Sequence, residues 1–207
     1  MKRFSIFLLF LIVGCALNAQ DDYRNYVLSR TMLNGTGTSY LDNITYYDGL
    51  GRPFQTVEKA VQSGLPVNKN LATLQEYDAA GREWNSWLPV FAGSSDYLAP
   101  ASIKSSAPGN YDNDSRPYSQ PVYKASPLNR LTAQYGPGAA WYNAGRPVKT
   151  EYLLNTNASP LKCIKYGVSS TGGLTGNSTT FYTSGELSVV KTTDEDLNVS
   201  YSFTDKQ

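Results

Sequence analysis

Proton transfer near neutral pH has little to work with in this sequence, because none of its 207 residues is histidine. Without imidazole there can be no Ser-His-Asp triad, no Cys-His pair and no histidine-ligated zinc. Carboxylates remain in Glu58, Glu76, Glu83 and Asp96, yet nothing in their spacing pairs two of them as a glycosidase requires. Cys163 lies between Leu161-Lys162 and Ile164 with no base to ionise it, so it reads as a small buried apolar residue and not a nucleophile. Asp112-Asn113-Asp114 opens like a calcium loop, but Arg116-Pro117 stands where a further ligand and the glycine turn belong, leaving a solvated Asx-rich turn as the expectation. No catalytic residue, cofactor site or metal site is therefore assigned, and the expectation is that the chain is not an enzyme.

Two patterns bear on binding instead. Trp84 and Trp87, with Tyr77 nearby, could offer a sugar-stacking surface, although residues three apart on a strand face opposite sides, which makes one of them core and one rim. At the start, Met1-Lys2-Arg3 leads into an almost unbroken apolar run from Phe4 to Leu17, shorter than the roughly 20 residues that span a bilayer. Residues 1–20 read as a signal peptide cleaved near Ala19 or Gln20. Ile12-Val13-Gly14-Cys15 also resembles a lipobox, in which case a lipidated Cys15 would be the mature N-terminus and would anchor the protein in a membrane leaflet. Either route makes the protein exported, to the cell envelope or beyond it. With Cys15 in the leader, Cys163 has no partner for an internal disulfide.

The elements that would carry these residues are strands. A composition of 41% hydrophobic and 17% charged residues suits a folded domain, and the formal net charge of +1 gives no field to attract nucleic acid. Seventeen glycines and 11 prolines break the chain every few residues, while no sustained helical period is present. Leu197, Val199, Tyr201 and Phe203 alternate with polar residues, and Leu187 and Val189 begin a preceding strand, so a hairpin is expected around Thr193-Asp194-Glu195-Asp196. Residues 93–127, rich in Ser, Pro, Gly, Asn and Asp, read as a long irregular insertion lying on the fold, and 169–180 as a flexible hairpin tip.

One pattern recurs. Tyr47-Asp48-Gly49-Leu50-Gly51-Arg52 and Tyr77-Asp78-Ala79-Ala80-Gly81-Arg82 share Y-D-x-x-G-R, with equivalent residues 30 apart (77 − 47). In such a unit the Asp would accept turn N–H groups, the Gly would take a positive φ, and the Arg would return to pair with the Asp or lie on a tyrosine face. Tyr142-Asn143-Ala144-Gly145-Arg146 looks like a third, degenerate copy, and Asp205-Lys206-Gln207 like the start of another. Each unit is too small to bury its own apolar face and must stack on its neighbour.

Y-D-x-x-G-R is the hallmark of Rhs/YD-repeat proteins. The segment Thr45-Tyr46-Tyr47-Asp48-Gly49-Leu50-Gly51-Arg52-Pro53-Phe54-Gln55 resembles the opening of the N-terminal domain of unknown function in their Gram-negative secreted members. Ser126-Pro127-Leu128-Asn129-Arg130, the stretch from Pro137-Gly138 to Trp141, Val148-Lys149-Thr150-Glu151-Tyr152 and Thr192-Thr193-Asp194-Glu195 resemble later blocks of it, in order. The resemblance covers about residues 23–207. It implies an all-β domain over 21–207, built of antiparallel hairpins in an extended or curved sheet, with a truncated C-terminal end. It further implies a non-catalytic scaffold, part of a β-shell that encloses a toxin or effector in full-length relatives. The implied partner is the rest of a longer Rhs-type chain or a neighbouring shell, with no nucleic acid and with a membrane only through Cys15. The alternative is a cell-surface carbohydrate-binding or adhesion module whose partners are surface glycans.

Overall fold

In the computed structural model the described residues are 24–59, 69–93, 95–176 and 179–205. The leader, Cys15 and the last two residues of Asp205-Lys206-Gln207 lie outside them. Among the described residues no helix is long and apolar enough to cross a membrane.

The fold is all-β and antiparallel, as the hairpin patterning predicts. Eight strands run β1 (Asn25–Met32), β2 (Tyr40–Tyr47), β3 (Pro53–Glu58), β4 (Asn70–Tyr77), β5 (Glu83–Gly93), β6 (Tyr118–Tyr123), β7 (Leu131–Tyr135) and β8 (Val148–Leu154). A two-stranded excursion, β9 (Gly167–Val168) with β10 (Leu174–Thr175), precedes the final hairpin of β11 (Leu187–Thr193) and β12 (Val199–Asp205). Ten strands form one open sheet in the order β1-β2-β3-β4-β5-β6-β7-β8-β11-β12, so each strand in it pairs with its neighbour in the chain apart from the detour through β9 and β10.

Register explains the core. Leu28, Ile44, Val57, Ala72 and Val90 lie opposite one another across five strands, and Tyr26, Tyr46, Gln55, Leu74 and Trp87 form the next such row on the same face. Side chains alternate between faces with period two, so these rows collect the apolar residues while Thr45, Thr56 and Thr73 line the opposite face. Ile44, Val57, Ala72, Leu74 and Val90 are buried, and burying a side chain the size of valine, leucine or isoleucine contributes about 1.5–3 kcal/mol.

Over β4 and β5 the cover on that face is a helix that the composition of 93–127 does not suggest, while Tyr26 and Leu28 at the β1 end of the rows stay exposed. Within that segment the structure places α1 (Pro100–Asn110) and then β6, and α1 sets Ile103 and Ala107 into the core. The irregular insertion is thus ordered for most of its length. Only two of eleven helical residues are buried, four apart on one face, which is too sparse a stripe to show as a helical period. Three sheet side chains hold the lead-in: Tyr46 donates its hydroxyl to the Asp96 carbonyl at 2.9 Å, and Asn70 donates Nδ2 to Ser95 O at 2.9 Å. Gln55, also buried, both donates to Leu98 O at 2.6 Å and accepts from Leu98 N at 3.2 Å, replacing a strand partner.

Candidate functional site

Connections alternate between the two ends of the sheet, so the turns at 48–52, 78–82 and 124–130 share one end. The first two are the repeated motif and are nearly superposable in their bonding. Asp48 Oδ1 accepts from the backbone N–H of Leu50 at 2.9 Å and of Arg52 at 3.0 Å, and Asp78 Oδ1 accepts from Ala80 and Arg82 at 2.9 Å each. Oδ2 of each takes its own motif arginine, Nη2 at 2.7 Å in both turns. Gly51 and Gly81 sit at φ +76° and +77°, the left-handed region that a side chain disfavours. Backbone N–H donation from Arg52, then its guanidinium, pulls the Asp48 carboxyl below the usual carboxylate range; Arg82 does the same to Asp78.

The arginines also reach forward. Arg52 lies over the ring of Tyr77, 4.3 Å from its centroid, and Arg82 lies over Tyr123 at 4.4 Å. Tyr77 returns its hydroxyl to Pro53 O at 2.7 Å, closing a clasp around Arg52. Tyr47 ends β2 opposite Pro53, in the same sheet as Tyr77. The third turn continues the series without the motif's letters. Lys124 N–H bonds Arg130 O at 2.8 Å, Asn129 takes the positive φ (+49°), and Arg130 lies 5.0 Å from the ring centroid of Tyr152 on β8. Each of these three arginines precedes one strand and covers a tyrosine of the strand after it, so the ladder ties the turns at 48–52, 78–82 and 124–130 to the strands that follow at roughly 0.5–1 kcal/mol per exposed contact.

The expected third copy at 142–146 is not such a turn. Ala139–Asn143 is a short helix, α2, and Gly145 (φ +65°) follows its end. A turn of the repeated type stands instead at 194–198, on the opposite end of the sheet. Asp194 Oδ1 accepts from Asp196 N at 2.9 Å and Asn198 N at 2.8 Å; its Oδ2 accepts from Asn198 Nδ2 at 2.9 Å. Asn198 takes the place of the arginine and Leu197, at φ +70°, that of the glycine. The alternation that places Leu197 on a strand misleads here, because the strand begins at Val199. The signal was Asp194 itself, four residues ahead of a side chain able to bond it. Arg146, the residue of the false copy, donates Nη1 to Glu195 O of this turn at 3.1 Å.

The remaining candidates separate. Glu76 is half-buried and accepts from Lys104 Nζ at 2.8 Å, Trp87 Nε1 at 3.0 Å and Asn85 Nδ2 at 3.0 Å. Burial alone would raise its pKa, but those three donors outweigh it and the carboxyl sits below its ordinary value. Asp96 pairs with Lys59 at 2.8 Å, and Glu58 is exposed at the end of β3. Asp114 accepts from the backbone N–H groups of Arg116 and Ala139, so it joins the segment to the start of the short helix after β7, while Asp112 and Asn113 take positive φ. Cys163 is half-buried, less enclosed than expected, with Sγ 3.7 Å from Ile164 O. Trp87 packs against the core and on Tyr118, whereas Trp84 lines a recess with Gln75, Ser86 and Ser119 on the threonine face, so the two do not form one platform. Among the described residues no three of Asp, Glu and Cys gather as a metal site would need.

A family model described as a domain of unknown function, DUF6443, matches residues 20–154. No curated protein and no solved structure matches the chain.

Proposed function

We propose that this chain, which belongs to the family of the domain of unknown function DUF6443, is a non-catalytic structural module of an exported Rhs/YD-repeat protein. In this reading its open sheet continues, hairpin by hairpin, into a larger β-shell. The observation that carries the reading is the turn ladder: Arg52 on Tyr77, Arg82 on Tyr123 and Arg130 on Tyr152 join consecutive hairpins by the same contact. A contact that repeats from one unit to the next suits an assembly extended along one axis. Supporting it, β1 and β12 are edge strands of eight and seven residues, long enough to template another strand. Asp48 and Asp78 are tied to their own turns, Asp96 to Lys59 and Glu76 to Lys104 of the helix, a use of carboxylates that fits scaffold work better than turnover.

Imaging of the protein as its native host makes it tests this directly. The expected result is an additional antiparallel strand on the outer side of β12. A stable monomer in which that side stays unpaired would overturn the shell reading. Mass spectrometry of the mature N-terminus tests export: the expected start is near Asp21 or at a lipidated Cys15, and a retained Met1 in the mature protein would contradict it.

A further inference from the structure

We propose that the threonine face of β3 to β7, opposite α1, binds a linear oligosaccharide laid across the strands, with Trp84 as its stacking platform and Glu83 as its principal hydrogen-bond acceptor. Thr56 and Thr73 alternate with the core residues Val57 and Ala72, which fixes this as the face away from the helix. Two recesses adjoin there. One, of about 260 Å³, is lined by Trp84, Ser86, Ser119, Tyr123 and Gln134; the other, of about 240 Å³, by Thr56, Thr73 and Tyr77; both include Gln75 and Glu83. Together they form a trough from β3 to β7, and five strands at about 4.8 Å spacing span roughly 19 Å, the length of a short glycan chain and not of one sugar.

A bulge builds the site. Gln75 pairs with Ser86 and Tyr77 with Glu83, so two steps along β4 oppose three along β5. Strict alternation would send the neighbours Glu83 and Trp84 to opposite faces, and the extra residue lets both line the same trough. Bulges re-aim side chains in this way next to binding sites.

The chemistry left unused is what a sugar takes up. Trp87 commits its ring to Tyr118 and its N–H to Glu76. Trp84, among the described residues, has neither a ring partner nor an acceptor for its indole N–H, and the Glu83 carboxylate and the Ser119 hydroxyl have no hydrogen-bond partner either. Gln134 uses Nε2 on Tyr135 O and leaves Oε1 to accept. A flat apolar ring flanked by a carboxylate, an amide oxygen and a hydroxyl matches a pyranose, whose C–H face is apolar and whose rim donates and accepts. Among the described residues that line the two recesses Glu83 is the single carboxylate, and glycoside hydrolysis takes a pair, so the trough is proposed to bind without cleaving.

The test is titration of the purified protein with cellohexaose, laminarihexaose, chitohexaose and maltohexaose, followed by tryptophan fluorescence and calorimetry. At least one hexasaccharide is expected to bind saturably, with a dissociation constant of about 1 mM or tighter. Trp84→Ala should weaken it by about tenfold or more and Glu83→Gln by about three- to tenfold, while Trp141→Ala, outside the trough, leaves it unchanged. A trisaccharide of the same linkage should bind several-fold more weakly. Absence of binding by all four sugars overturns the proposal, as does undiminished affinity in the Trp84→Ala protein. Should that variant not fold, undiminished affinity in Glu83→Gln is equally decisive.

Discussion

A Cβ placed on Gly81 would lie 3.1 Å from Nη1 of Arg52, so the second turn's glycine is demanded twice, by its φ of +77° and by the arginine of the hairpin before it. Gly51 answers only to the first demand: it has φ +76° and nothing within 4 Å of the same position.

The two glycines should therefore respond unequally to alanine. Gly51→Ala is expected to cost about 1 kcal/mol, the left-handed strain less the gain from a stiffer unfolded chain. Gly81→Ala should cost more, by several tenths of a kcal/mol, as Arg52 gives way. Urea denaturation of both, and of Gly81→Ala combined with Arg52→Ala, checks this; equal losses, or an excess that survives removal of Arg52, would count against the contact.

Leu197 holds the glycine place in the turn at 194–198 with φ +70° and is 64% exposed as a residue. Relief of the strain outweighs the entropy that glycine adds to the unfolded chain, so Leu197→Gly should stabilise the protein by about 0.5–1 kcal/mol. Thermal denaturation reads this as a rise in Tm; a fall would mean that the leucine packs on something that matters.

Acid should unfasten the turns. The carboxyls of Asp48, Asp78 and Asp194 are all held below the ordinary value, the first two chiefly by backbone N–H bonds and the third by the Asn198 amide. A group with a depressed native pKa contributes stability that is present above its unfolded value, about 3.9, and lost as pH falls from there through the native value. Stability should therefore decline below about pH 4, and Asp78→Asn should make that decline shallower while lowering stability at neutral pH. Denaturant midpoints measured from pH 6 downwards test it; identical slopes would remove Asp78 from the account.

Glu76 joins α1 to the sheet through Lys104, Trp87 and Asn85. Glu76→Ala should cost about 2–3 kcal/mol, because three donors lose an acceptor that was charged and half-buried. Trp87 fluorescence should change in the same variant, and hydrogen exchange should quicken in 100–110 before it does in β2 and β3.

What could be read ahead of the structure follows the range of the forces involved. The motif turns were legible because their bonds are local: Asp48 reaches only to Leu50 and Arg52. The final hairpin was legible from the alternation of Val199, Tyr201 and Phe203. Helix α1 was not, since it is held by Ile103 and Ala107 against strands far away in the chain, and its serines, glycine and Pro108 give no amphipathic signal. The rung at Arg130 was hidden for a related reason, with Asn129 replacing glycine and no aspartate to mark the turn. The false copy at 142–146, a residue short and with Asn143 in the aspartate's place, overlaps the end of α2, where a glycine of positive φ follows a helix and builds no motif turn. As for the trough, it depends on a bulge, and a one-residue slip between strands leaves no trace in either strand alone.

The sheet's strand order runs almost in step with the chain. A gene duplication that inserts one more Y-D-x-x-G-R hairpin would part only the two strands it slots between and leave every other pair in place, with its arginine handed onward. Length in such a protein can grow or shrink by whole units without any rewiring, and each added unit arrives with its fastening already encoded.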